Sequence, residues 1–302
     1  VIRLLRDALV VALFDLRSSL RSRKALLLLV LYLAGSMAAT GVFVSILQQV
    51  ERQAATALHV AATEHPGILT SRVMESPEVH SMIQGLVGDA ELADELLQTP
   101  PLALFYGWIA LSFVPILVTL TSSDAIAGEV DSGAARFALT RTSRGSWASG
   151  KLLGQTALMV AGLALGGAGS WVVGWASFTG FQGAATALWM LRLGSRACVS
   201  GFAYLGLVMG ISLLTRSANR ARAFALLALV AVGVLRALGN APPVHDFAPS
   251  LVDGLLQLLP GSHVLDLWRP DPGRRLPAML ILLALGGSFF TGGYLRFVRR
   301  DG

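Results

Sequence analysis

The sequence predicts an all-α polytopic membrane protein with six transmembrane helices, both termini cytoplasmic and an N-terminal amphipathic helix in the membrane interface. Three observations carry this. Charged residues make up only 14% of the 302 residues and hydrophobic ones 54%, with a mean hydropathy of +0.64. An average soluble domain carries roughly 25% charged residues, so there are too few here to cover a soluble protein of this size, and the chain is too apolar for disorder. The apolar residues form long unbroken runs rather than the short alternating segments of a transmembrane barrel. Finally, with the N-terminus inside, 16 of the 24 Lys and Arg residues fall on the inner face, the bias that sets membrane orientation. The inverted topology is the lesser alternative. A single cysteine, Cys198, excludes an intrachain disulfide framework and a Cys-rich zinc site.

Residues 1–24 read as a cytoplasmic amphipathic helix. Leu5, Leu9, Ala12, Leu13, Leu16 and Leu20 recur at helical spacing, with Arg3, Arg6, Arg17 and Arg21 mostly opposite. A basic helix of this kind lies in the membrane interface. The chain opens on Val1 rather than Met, so the numbering starts either inside a longer product or at an unusual start codon. The first apolar run follows 24 residues and has no small-residue cleavage pattern behind it, so it reads as a span and not as a signal peptide.

Six runs approach the ~20 apolar residues that a spanning helix needs: Ala25–Leu47, Leu102–Thr121, Leu152–Ser177, Ala197–Thr215, Ala223–Gly239 and Leu276–Leu295. They make residues 25–302 a six-helix transmembrane domain. Only the fifth holds a charge, Arg236, near an end where its side chain reaches the headgroups. No charge falls anywhere from Leu152 to Leu191. That is too long for one helix, so the chain turns near Gly180 and Gly183, and Phe181–Leu191 is expected to form a short interfacial or re-entrant helix. Gly162-x3-Gly166 and Gly206-x3-Gly210 permit close helix approach, within one subunit or across a dimer.

Residues 48–101 predict an extracytoplasmic helical cap, with helices near Gln48–Thr63 and Pro77–Gln98 broken at Pro66-Gly67. The proline-rich extracytoplasmic loop 240–275 is expected to be irregular, with one short helix near Ser250–Leu259. His59, His65, His80, His245 and His263 all fall in these two segments, yet none has i, i+4 ligand spacing to another. They read as solvated loop histidines, with metal binding the weaker alternative.

The informative stretch is the cytoplasmic link 122–151 between spans two and three. It contains no proline, and helix is expected for most of it. On one helix Glu129, Gly133 and Arg136 share a face: an acid, a bare backbone patch and a base. Asp124 and Glu129 near its start and Arg136, Arg141 and Arg144 near its end complement the helix dipole. From composition alone it reads first as a solvated connecting loop. Gly145-x4-Gly150-Lys151 imitates a phosphate-binding loop, but Leu152 follows where a Ser or Thr is needed for magnesium, and a membrane span comes next.

The pattern Asp124-x3-Gly128-Glu129-x3-Gly133, followed by Ser143-Arg144-x5-Gly150-Lys151, resembles the membrane subunits of ABC transporters of the type 2, export-like class. It is similar in particular to permeases for copper-site maturation of nitrous-oxide reductase and to gliding-motility permeases. The resemblance extends to the layout of basic N-terminal helix, six spans and this link. It implies that the link is a coupling helix docking into an ATP-binding subunit, with Asp124, Gly128, Glu129, Gly133 and Arg144 at the contact and Gly150 and Lys151 anchoring span three; the helical spacing adds Arg136 to the candidate contact residues. One position departs: the family usually has proline three residues before the arginine of Ser-Arg, and this chain has Arg141 there, which bears on how the coupling helix ends.

The expected function is that of a permease subunit of the bacterial inner membrane, with no catalytic residue and no cofactor of its own. ATP and magnesium belong to the ATP-binding partner in trans. A second permease copy, membrane lipid and an extracytoplasmic partner through 48–101 are the other expected partners; nucleic acid is not among them. No charge in mid-span marks a proton relay, which counts against an ATP-independent secondary carrier. A membrane anchor that recruits an extracytoplasmic apparatus is the main alternative.

Overall fold

A computed structural model describes residues 2–57, 90–178, 181–239, 241 and 249–300. All regular structure among them is helical. Six helices are long and apolar enough to cross a membrane. In chain order the elements are α1 (Ile2–Arg21), α2 (Arg23–Ala57), α3 (Ala90–Gln98), α4 (Pro101–Ser122), α5 (Ala127–Asp131), α6 (Ala134–Leu139) and α7 (Arg144–Ser177). Then come α8 (Gly183–Leu214), α9 (Ala218–Gly239), α10 (Pro249–Gln257), a 3-10 turn (Pro260–His263), α11 (Val264–Trp268) and α12 (Pro272–Arg300). The spans are α2, α4, α7, α8, α9 and α12.

The bundle is built around α4 and α8. In their most apolar stretches 67% of residues are buried, against 11% in α9, which therefore lies on the rim. Small residues set the tightest contacts. A side chain on Gly206 would strike the backbone of Gly286, and one on Gly210 would stand 2.5 Å from the carbonyl oxygen of Phe289, so α8 and α12 touch backbone to backbone. A Cβ on Gly162 would meet Leu117 at 2.9 Å, and one on Gly166 would meet Tyr32 at 2.6 Å. Both small-residue patterns thus serve packing within this chain. Without water between helices, such contacts and polar bridges hold a bundle together. The Ser36 hydroxyl donates to the Gly166 carbonyl (3.0 Å) and the Thr40 hydroxyl to Ser170 Oγ (2.9 Å), which joins α2 to α7.

Several expectations are corrected. Phe181–Leu191 is not a separate helix: from Gly183 it is the first part of α8. At about 1.5 Å per residue, the 32 residues of α8 reach about 48 Å, well beyond a ~30 Å hydrocarbon core. The apolar run from Ala197 is its crossing part, and the segment before it rises past that layer. Likewise α2 continues unbroken through Gln48 to Ala57 instead of yielding to a new helix. The rest of the expected 48–101 cap lies outside the described residues except for α3 and the turn after it. His263 is not a solvated histidine: it is buried, with Nε2 2.9 Å from the Gln257 carbonyl oxygen. The other four histidines lie outside the described side chains. Among the described residues no group of three or more His, Cys, Asp or Glu is placed to hold a metal.

Candidate functional site

The link is not one helix. Ser122 ends α4, a turn leads to α5, and Gly133 adopts φ +78° before α6 begins. A left-handed residue after a helix closes its last carbonyls, and glycine does this without the clash that a Cβ brings. The Ser132 amide donates to the Gly128 carbonyl (3.0 Å) and the Gly133 amide to that of Val130 (3.2 Å). Because Gly133 is the break, Glu129 and Arg136 fall on different helices and do not share a face. After α6 the Arg141 amide donates to the Ala138 carbonyl at 3.1 Å. Proline has no N–H to do this, so the exit turn uses the one position that departs from the family pattern. Ser143 then caps α7, its hydroxyl oxygen accepting from the Ser146 amide at 3.1 Å.

Each acid of the link is tied to a different part of the bundle. Asp124 accepts from Lys24 Nζ at the start of α2 (2.6 Å) and from Arg222 Nε on α9 (3.1 Å). Asp131 accepts the Ala218 amide at the start of α9 (3.1 Å). Glu129 pairs with Lys151 on α7, and the same ammonium pairs with Asp15 of α1. Gln155, one turn after Lys151, donates to the other oxygen of Asp15 (2.7 Å) and accepts from the Ser122 hydroxyl (2.9 Å). Ser212 of α8 accepts the amides of Ile126 (3.3 Å) and Ala127 (3.0 Å), satisfying the opening of α5. The link is therefore fastened to α1, α2, α7, α8 and α9.

Asp15 and Lys151 are both buried. Two charges leave water at a cost that attraction offsets only when the remaining polar groups are also met, and Gln155 and Glu129 meet them. Glycines make room for the pair. A Cβ on Gly150 would stand 2.6 Å from the Ala8 carbonyl oxygen, and one on Gly154 would stand 2.8 Å from Asp15 Oδ2. So α1 docks on α7 through Ala8, Ala12 and Asp15, while Leu5, Leu9, Leu13 and Phe14 stay exposed. Most of the leucine stripe that the sequence singled out is the free face, while Ala12 and Leu16 of that stripe pack inward beside Ala8 and Asp15. The segment Gly145–Lys151 lies within the first two turns of α7, so its likeness to a phosphate-binding loop has no loop behind it.

The remaining site residues divide between anchoring and display. Arg144 donates to the Val298 carbonyl at 3.3 Å, joining the start of α7 to the end of α12; Trp147 and Phe297 pack beside it, ring centroids 6.0 Å apart. Gly128 and Gly133 have open space where a side chain would go. Arg136 is exposed, and its neighbour Phe137 is 80% exposed. Sequence reasoning passed over Phe137, Asp15, Lys24, Gln155, Ser212 and Arg222. A bulky aromatic ring next to an arginine in a charged link was the available signal for the first. The others are visible only once segments about 100 residues apart are brought together.

Six apolar spans, an N-terminal helix laid on the third, and a charged link fastened back into the bundle define a multi-pass membrane protein with one displayed face. The chain belongs to the ABC-2 family of transporter proteins: the family model described as ABC-2 family transporter protein matches residues 9–301. It is thus a permease component of transport. No curated protein matches the chain.

Proposed function

We propose that this permease docks an ATP-binding subunit on its link and turns ATP hydrolysis by that subunit into export or conformational work across a bacterial inner membrane. One observation carries the reading. The link shows Arg136 and Phe137 to its surroundings, with open space at Gly133, while its acids reach α2, α7 and α9 and the amides of Ile126 and Ala127 reach Ser212 of α8. Movement imposed on the displayed face is passed inward through Glu129 and Lys151 to α1 and α7, and through Asp124 to α2 and α9. Gly128, Gly133, Arg136 and Phe137 are the docking surface. Asp124, Glu129, Arg144, Gly150 and Lys151 transmit and anchor.

The basic residues near the link favour a cytoplasmic link and termini. ATP and magnesium belong to the partner, and a second permease copy completes the transporter, as homodimer or heterodimer. The narrower likeness to copper-maturation and gliding-motility permeases rests on the link motif and forms part of this proposal. Co-expression with candidate ATP-binding subunits tests it. A stable complex is expected, and Phe137→Asp is expected to lower recovery of the partner at least tenfold while the permease itself still folds. A partner held equally well by that variant removes the docking assignment. A complex that moves nothing in sealed vesicles turns the reading to a membrane anchor.

A further inference from the structure

At the end of the bundle away from the link, a cavity of about 920 Å³ opens between α3, α8 and α12. Its size falls within the range of small-molecule sites. Acids from α3 and arginines from α8 and α12 face it in equal number: Glu91, Asp94 and Glu95 against Arg192, Arg196 and Arg275. Arg196 is buried and spent on Glu95, Nη2 to Oε1 at 2.9 Å. Arg192 stacks on Trp189, its Cζ 5.0 Å from the ring centre. Neither Arg192 nor Arg275 has an ion pair among the described residues. The second carboxylate oxygen of Glu95, Oε2, is buried and has no hydrogen-bond partner among them.

The depth of the cavity follows from the chain. Arg192 and Arg196 stand just before the apolar run that begins at Ala197, and Arg275 just before the one that begins at Leu276. Both mark the edge of the hydrocarbon layer, where arginine and tryptophan meet headgroups. Leu276 and Met279 give the wall an apolar side along α12.

We infer that this cavity binds a phosphorylated primary amine, supplied by the headgroup of a phosphatidylethanolamine-type lipid. The phosphate lies on Arg192 and Arg275, for which arginine is suited. The ammonium donates to Glu95 Oε2, and the acyl chains leave along Leu276 and Met279. The balanced charge of the lining selects a zwitterion over an anionic lipid. A buried acceptor selects an ammonium with N–H groups over a quaternary choline, which has none. In the orientation proposed above the lipid comes from the outer leaflet; the binding itself does not depend on that orientation.

The test uses the full chain in detergent, with short-chain lipids titrated and occupancy read by native mass spectrometry. Phosphatidylethanolamine is expected to bind at least tenfold more tightly than phosphatidylglycerol or phosphatidylcholine. Joint Arg192→Gln and Arg275→Gln substitution is expected to remove that preference at unchanged thermal stability. Met279→Trp, which fills the cavity and keeps every charge, is expected to weaken binding as well. Soluble phosphoethanolamine competing as well as the lipid assigns the site to a free phosphoamine, and competition at least tenfold weaker assigns it to the membrane. Equal binding of the three lipids, or wild-type affinity in both variants, overturns the inference. No ATP-binding subunit is needed, so failure here leaves the coupling reading standing, and the reverse.

Discussion

The two ends of the bundle use the same charged side chains in opposite ways. At the link end, acids and bases from distant segments close on each other. Lys151 holds both Asp15 and Glu129, and Asp124 holds both Lys24 and Arg222. At the far end one buried pair, Arg196 with Glu95, stands beside two arginines that pair with no acid among the described residues and a cavity that they line. A closed network transmits displacement because no member moves without its partners; an open one leaves charge available to a ligand. The difference is what the proposed coupling at one end and the inferred recognition at the other each require.

Substitutions sharpen this contrast. Lys151→Met should be the most damaging, because it leaves the buried Asp15 carboxylate unpaired and Glu129 without its tie. Removing one partner of a buried pair costs about 3–5 kcal/mol, to be read as a loss of thermal stability in detergent together with new protease sensitivity of α1. Arg196→Met breaks the buried Arg196–Glu95 pair at the far end, next to an open cavity that water can enter. A smaller loss of about 1–3 kcal/mol is expected there, with α3 released and the link end intact by the same protease assay. Equal losses at the two ends would erase the distinction between a closed and an open network.

Asp124→Asn should cost at most about 1 kcal/mol, since half-exposed pairs contribute little to stability and the Lys24 and Arg222 side chains are 43% and 46% exposed. Its effect belongs to coupling: a complex with the ATP-binding subunit should form normally while α9 loses its Arg222 tie to the link and keeps the one at Ala218, read as faster hydrogen exchange around Arg222. Phe137→Ala should change stability least, within about 0.5 kcal/mol, because the ring packs against little of this chain. A large loss of stability would mean that Phe137 belongs to the fold and not to the displayed face.

Much of the fold was legible in the sequence because lipid leaves few choices: an apolar run of spanning length has to be a helix that satisfies its own backbone. What failed did so for local reasons. The charge-free stretch to Leu191 is too long for one helix, and Arg192 and Arg196 separate Phe181–Leu191 from the next apolar run. Glu95, about 100 residues away, neutralises Arg196 and lets α8 run through. Gly133 looked like a bare patch on one helix, since glycine is tolerated within a helix as well as after it; only its φ of +78° reveals the break. Asp15 is one of two acids on a helix whose leucines dominate the pattern, and its partner on α7 is invisible to periodicity. The link itself was found because its charges are concentrated where the spans have none.

The proposed coupling runs from the link into the bundle through Glu129. The direct measurement is the rate of ATP hydrolysis by the ATP-binding subunit, with and without the permease in nanodiscs, for the wild type and for Glu129→Gln. That substitution keeps the size of the side chain and removes the charge that meets Lys151. An intact complex with permease-dependent stimulation at least tenfold lower is expected. Wild-type stimulation in the Glu129→Gln complex would contradict it.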